Sequence, residues 1–143
     1  MSNIPSISEL YDLDHTIAKD LLLRHTYPWE ALKELKAFIL ELGATLPADE
    51  YDHPEEGVWI AKDANVFPSA YIGAPCIIDH GAEIRHCAFI RGSAIIGKNA
   101  VFGNSCEIKN SIIFDDAQTP HYNYVGDSIL GWHSHMGAGS ITS

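Results

Sequence analysis

The sequence is short of cysteines, cations and long apolar runs, and each shortage removes a class of explanation. The three cysteines, Cys76, Cys87 and Cys106, are odd in number and show no CxxC spacing. They suggest neither a disulfide framework nor a zinc knuckle, and a reducing cytoplasm is the simplest compartment. Nine Lys and Arg stand against 19 Asp and Glu, a formal charge of −10. That balance argues against a nucleic-acid or anionic-membrane surface. It leaves room for a local basic site that takes a phosphorylated small molecule. No stretch approaches the length of a membrane span, and no basic-then-apolar signal opens the chain. What is present is ordinary for a globular chain: 46% apolar and 20% charged residues over 143 positions. This suits one domain, or one domain with a small appendage.

The first part has a helical pattern. Ser6 can cap a helix over Ile7 to Leu23, with Glu9 as capping-box partner. Ile7, Leu10, Leu13, Ile17 and Leu21 recur at helical spacing along it. A second helix is predicted from Pro28 through Trp29, Leu32, Leu35, Phe38, Ile39 and Leu42, stopped by Gly43. Ala44 to Gly57, rich in Pro, Asp and Glu, is predicted to be a connecting loop.

From Ile60 the grammar changes. A large apolar residue recurs every six positions: Ile60, Val66, Ile72, Ile78, Ile84, Ile90, Ile96, Phe102, Ile108. Four residues after each of the first eight comes a small one: Ala64, Ala70, Cys76, Ala82, Ala88, Ala94, Ala100, Cys106. A period of this kind marks stacked repeats. The large residue fills the interior, and the small one turns inward where bulk would clash. No single coil buries its own apolar face, so coils must stack to make a core. The period then fails. Ile112 is large where a small residue is due, and Phe114 and Pro120 lack small partners at Gln118 and Tyr124. A frame returns at Leu130 with Ser134 and Met136 with Ser140. The slip predicts a loop bulging from the coil around Asp115–Tyr124, and irregular loops on rigid scaffolds often carry function.

Four residues near that break carry chemistry: Arg91, Lys109, His121 and Tyr124. Arg91 and Lys109 each follow an inward anchor and lie 18 positions apart. On a three-sided coil they stack one strand spacing apart, about 4.8 Å. Two cations so close repel unless an anion lies between them, and a phosphate monoester suits both. Taken alone, such a pair is more often solvated surface charge. His121 is a side chain able to accept a proton near neutral pH, although a loop histidine by itself is usually an exposed bystander.

The hexads resemble the left-handed parallel β-helix of hexapeptide acyltransferases, in which three hexads make one triangular coil. The stretches FGNSCEIK, PHYNYVGDSILG and MGAGSITS are similar to a narrower group. That group is the acetyltransferase half of the bifunctional glucosamine-1-phosphate acetyltransferase / N-acetylglucosamine-1-phosphate uridylyltransferase. The resemblance runs without a gap from Arg91 to Ser143. It implies a left-handed β-helix over 58–143, so the fold expected is mainly β; the two N-terminal helices and linker over 1–57 have no counterpart in the family and are expected to cap the first coil, with Val58 and Trp59 packing under the second helix. It implies N-acetylation of an amino-sugar 1-phosphate, with acetyl-CoA as co-substrate and no metal. The family's catalytic base falls on His121, its phosphate-holding pair on Arg91 and Lys109, and its sugar contact on Tyr124. A further sugar contact, Asn in the family, falls on His135. Ala138 falls in the segment that contacts acetyl-CoA. The family continues with coils for which this sequence has no counterpart after Ser143, and the uridylyltransferase half has none before it. The resemblance also implies a homotrimer with sites between neighbouring β-helices, for which Tyr71, Phe89, Val101 and Ile113 are candidate contacts.

Two other classes stand beside this one. A zinc enzyme like the γ-type carbonic anhydrases would draw on His80, His86, His133 and His135, but no acidic partners stand in fixed relation to them. A non-catalytic sugar-phosphate-binding or assembly module would keep the anion site and dispense with the co-substrate.

Overall fold

The computed structural model describes residues 3–143. The hexads form a parallel β-helix. Strand Val58–Ala61 pairs with Cys76–Ile78, and that strand with Phe89–Ile96, each eighteen residues on, as in Cys76 against Ala94. Glu107–Ile113 continues the stack. A second sheet runs through Asn65–Val66, Glu83–Ile84, Val101–Asn104 and Gln118–His121. The anchors Ile78, Ile84, Ile90, Ile96, Phe102 and Ile108 are fully buried in one core with Ala82, Ala88, Ala94 and Ala100. Each such isoleucine contributes about 1.5–3 kcal/mol by leaving water.

The expected register slip is present, but its cause is different. No loop bulges at Asp115–Tyr124. Gln118–His121 is a strand in register with its neighbour, Gln118 facing Val101 and His121 facing Asn104. The step between coils has shortened to 17: Ile96 faces Ile113, and Ile113 faces Leu130. The same corner has lost a residue in two successive coils, so Ile108 is followed by the anchor Ile113, and Val125 by Leu130, after five positions. Ser111, Ala117 and Asn123 then take the inward small positions, all buried. Asn123 is polar there yet satisfied, its Nδ2 donating to the carbonyl of Gly137 at 2.8 Å. The later frame of Leu130 and Met136 belongs to this shortened coil. Ile113 is therefore interior and fully buried, not an outward contact.

Each predicted helix is broken into two. The first becomes α1 (Ile7–Leu10), a 3-10 turn (Leu13–His15) and α2 (Lys19–Leu23). Side chains compete with the helical ladder in the gap: Asp12 Oδ1 accepts from the Asp14 amide, and Thr16 Oγ1 from the Ala18 amide. Tyr11 turns away to donate its hydroxyl to the Ile129 carbonyl at 3.1 Å. The second becomes α3 (Pro28–Leu32) and α4 (Leu35–Gly43), separated by a turn at Lys33 and Glu34.

The helices flank the β-helix and do not cap its end. They bury the outward ladder Trp59, Ile77, Ile95 and Ile112 in a second core with Leu21, Leu35 and Ile39. The segment predicted as a loop, Ala44 to Gly57, holds strand Tyr51–Glu55, antiparallel to Val58–Ala61 with Tyr51 facing Ala61. An unpaired first strand would offer its amide edge to other chains, and this strand covers it. Among the described residues, no helix is long and apolar enough to cross a membrane.

Candidate functional site

One face of the β-helix carries the anion-binding candidates. Phe89 faces Glu107, and Glu107 faces Tyr124. One step along the strands, Lys109 lies between Gly92 and Gly126. The shortened corner decides this. Ile90 still faces Ile108, but the next pair is Gly92 with Lys109, which leaves Arg91 as the extra residue of a bulge. Bulges re-aim the side chain they carry.

Both cations are paired with carboxylates in the chain itself. The Arg91 Nη1 donates to Glu107 Oε2 at 3.0 Å, and Lys109 Nζ lies 3.1 Å from Asp127 Oδ2. The repulsion expected between two stacked cations is thus relieved by Glu107 and Asp127. Those two acids were not singled out from the sequence. The available signals were the Glu-x-Lys spacing, which puts both side chains on one strand face, and the Gly-Asp dipeptide at the next corner. Asn110 and Asp127 occupy equivalent corners with left-handed φ of 47° each. Asn and Asp tolerate that conformation. The Asn110 Nδ2 donates to Asp127 Oδ1 at 2.9 Å. Those hydrogen bonds from Asn110 and Lys109 hold the Asp127 carboxyl below its ordinary range.

Tyr124 lies on the same face, half-buried, with its ring folded over Gly126. A Cβ added to Gly126 would sit 2.6 Å from the Tyr124 hydroxyl, so a larger residue there would push the ring aside. His121 ends the strand of the neighbouring face, at the corner that leads to Tyr124. Its amide donates to the buried Asn123 Oδ1 at 3.1 Å, which fixes the backbone there. Its side chain is exposed. Ala138 sits in the turn beside it, where the Gly139 amide donates to the His121 carbonyl at 3.1 Å. His135 lies apart from the cations, on the face of Gln118, and its Nδ1 is 3.1 Å from Gln118 Oε1. Arg91, Lys109 and Tyr124 therefore share a face, His121 and Ala138 share the adjoining corner, and His135 belongs to the next face.

The other histidines have local partners. His80 lies between Asp63 Oδ1 at 2.9 Å and Glu50 Oε1 at 3.0 Å, so it does have acidic partners, contrary to the sequence expectation. The Ser69 hydroxyl is 2.7 Å from His86 Nδ1, and His133 lies 4.0 Å from Asp116. Among the described residues no group of three His, Cys, Asp or Glu is arranged to hold a metal ion.

Stacked hexads define a hexapeptide-repeat β-helix, which carries paired cations on one face and a histidine at the adjoining corner. A family model described as the GMPPB C-terminal domain matches residues 72–142. The bifunctional protein GlmU of Methanococcus maripaludis (strain C5) is 51% identical over 39 residues, 27% of this chain and 10% of that protein. GlmU of Jannaschia sp. (strain CCS1) is 30% identical over 124 residues, 75% of this chain and 27% of that protein. In fold, the chain resembles the acetyltransferase domain of PglB from Neisseria gonorrhoeae. The TM-score is 0.52 at 23% identity, over 60% of this chain and 49% of that one. The chain is similar to hexapeptide-repeat acyltransferases, the GlmU proteins among them. It spans about a tenth of the first of those relatives and about a quarter of the second.

Proposed function

We propose that the chain carries the sugar-phosphate site and the base of an acyltransferase. The reaction would move an acetyl group from acetyl-CoA to the amine of an amino-sugar 1-phosphate such as glucosamine-1-phosphate. The observation that supports this reading is the common face of Arg91, Lys109 and Tyr124, with His121 at the corner beside it. Arg91 and Lys109 orient the phosphate and supply proximity. Tyr124 and His135 contact the sugar. The uncharged amine attacks the thioester carbonyl, a C–N bond forms and the C–S bond breaks. His121 accepts the amine's proton, and the departing thiolate takes one up to leave as free thiol. Backbone N–H groups steady the oxyanion that forms on the way. Ala138, in the turn against His121, lies where the acetyl-CoA segment of the family falls.

A homotrimer accompanies this reading. His135 lies on a different face from the cations, so a neighbouring copy would complete the site, and Tyr71 and Phe89 are exposed on the cation face. A cytoplasmic location goes with this reading, supported by three free cysteines.

The test is release of free thiol from acetyl-CoA in the presence of glucosamine-1-phosphate. His121→Ala is expected to lower turnover by about 10²–10⁴-fold while sugar-phosphate binding persists. Turnover unchanged in His121→Ala removes the base. Sugar-phosphate binding without any thiol release makes the chain a binding module instead.

A further inference from the structure

We propose that Asn104 is a further specificity-determining residue of this site, its side-chain amide donating to the sugar hydroxyl next to the reacting amine. The inference rests on the sugar-phosphate reading above and adds one contact to it. Asn104 faces His121 across the parallel ladder, so the two stand one coil apart, about 4.8 Å. The same corner recurs in three successive coils as His86, Asn104 and His121. The Ser105 amide donates to the His86 carbonyl at 3.2 Å, and the Tyr122 amide to the Asn104 carbonyl at 3.0 Å. The left-handed turn of each corner is made by the residue that follows, Cys87, Ser105 and Tyr122. Turn geometry therefore does not account for an asparagine at position 104.

The amide of Asn104 is only half committed. Its Oδ1 accepts from the Ser105 hydroxyl at 2.8 Å, which holds the plane of the group. Among the described residues, Nδ2 has no acceptor. A half-buried side chain thus presents its two N–H donors to whatever enters the corner. The order of the coils decides what that is. The Gly139 amide donates to the His121 carbonyl, so the Ala138 segment, where the reading above puts acetyl-CoA, lies on one side of His121. Asn104 lies on the other side, in the coil that also holds Glu107 and Lys109. His121 therefore separates a thioester side from an acceptor side, and Asn104 stands on the acceptor side. In a 2-amino sugar 1-phosphate, the phosphate on C1 goes to Arg91 and Lys109, and the amine on C2 to His121. The next ring atom is C3, and its hydroxyl oxygen accepts from Asn104 Nδ2.

The experiment is titration calorimetry of the full chain with glucosamine-1-phosphate and with its 3-deoxy analogue, in wild type, Asn104→Ala and Asn104→Asp. Aspartate keeps the shape and the acceptor for Ser105 but removes both donors. Wild type is expected to bind glucosamine-1-phosphate about two- to ten-fold more tightly than the analogue, the range of one neutral hydrogen bond. Both variants should bind the two ligands alike. Thermal melting checks that the corner is intact in each. Wild type that binds the analogue as tightly as the parent overturns the inference without any variant. A variant that keeps the wild-type ratio, whatever its affinity, overturns it too, because the hydroxyl is then read elsewhere. If wild type does not bind glucosamine-1-phosphate, or Lys109→Ala binds it equally well, the sugar-phosphate reading itself fails and this inference with it.

Discussion

Gly92, and not Arg91, stands opposite Lys109. The two cations thus come from unlike backbone settings, one from a regular strand and one from a bulge. The arginine is placed by the corner where the coil shortens.

Because the cations share one face, their loss should weaken the same contact. Arg91→Ala and Lys109→Ala are each expected to weaken glucosamine-1-phosphate binding by about tenfold, as hydrogen bonds to charged groups contribute about 1.5–3 kcal/mol. The double variant should lose less than the product of the single losses, because both residues hold one phosphate. Titration calorimetry measures all three. Binding retained in the double variant would remove the clamp.

Gly103 packs against the strand that ends at His121. A Cβ at Gly103 would lie 1.8 Å from the Pro120 carbonyl oxygen, a backbone atom that cannot turn away. Gly103→Ala should therefore destabilise the fold by about 1–3 kcal/mol, the usual cost of overpacking. A clear drop in melting temperature is the expected readout. An unchanged melt would mean that the two strands are not so closely packed.

The His80 imidazole ties Glu50, in the segment before the edge strand, to Asp63 in a turn of the β-helix. Burial pushes this group down. The hydrogen bond to Asp63 and its charge, the charge of Asp79 and the hydrogen bond to Glu50 outweigh burial and hold it above its ordinary value. A group raised in the folded state contributes stability that is fully present below its unfolded pKa, about 6.5. That contribution is lost as pH rises through the higher folded value. Denaturant midpoints should fall on going from pH 6 to pH 8, and the fall should shrink in His80→Gln. A pH dependence unaltered by the substitution would rule out this assignment.

The three thiols differ in access. Cys76 and Cys106 point inward and are buried, whereas Cys87 is exposed at a corner. Burial pushes the Cys76 thiol up to about 12, so it is neither accessible nor ionised near neutral pH. A thiol reagent should label one cysteine quickly in the native protein, and the other two only on unfolding. Mass spectrometry after a short pulse reads the stoichiometry. Rapid labelling of Cys76 or Cys106 would contradict the inward orientation.

The inward hexads from Ile60 to Ile108 were legible in the sequence because the interior of a β-helix imposes one local rule on every strand. A large residue fits, and four positions on only a small one does. The same rule continues through Ile113 with Ala117, but a missing corner residue shifts its phase, so a period counted at six reads it as failure. Only the pairing of Ile96 with Ile113 shows that the coil shortened instead of bulging. The helix signals were also correct in place, yet each helix is broken. Ser6 and Pro28 act locally, whereas Tyr11 is pulled out by a carbonyl 118 residues away. The chemistry divides in the same way. That Arg91, Lys109, His121 and Tyr124 are present is a property of the sequence. That Glu107 and Asp127 neutralise the cations, and that His135 lies on another face, depends on which residues stack across coils. Stacking is set by the backbone hydrogen-bond register, and a residue lost at a corner changes which residues face one another across coils.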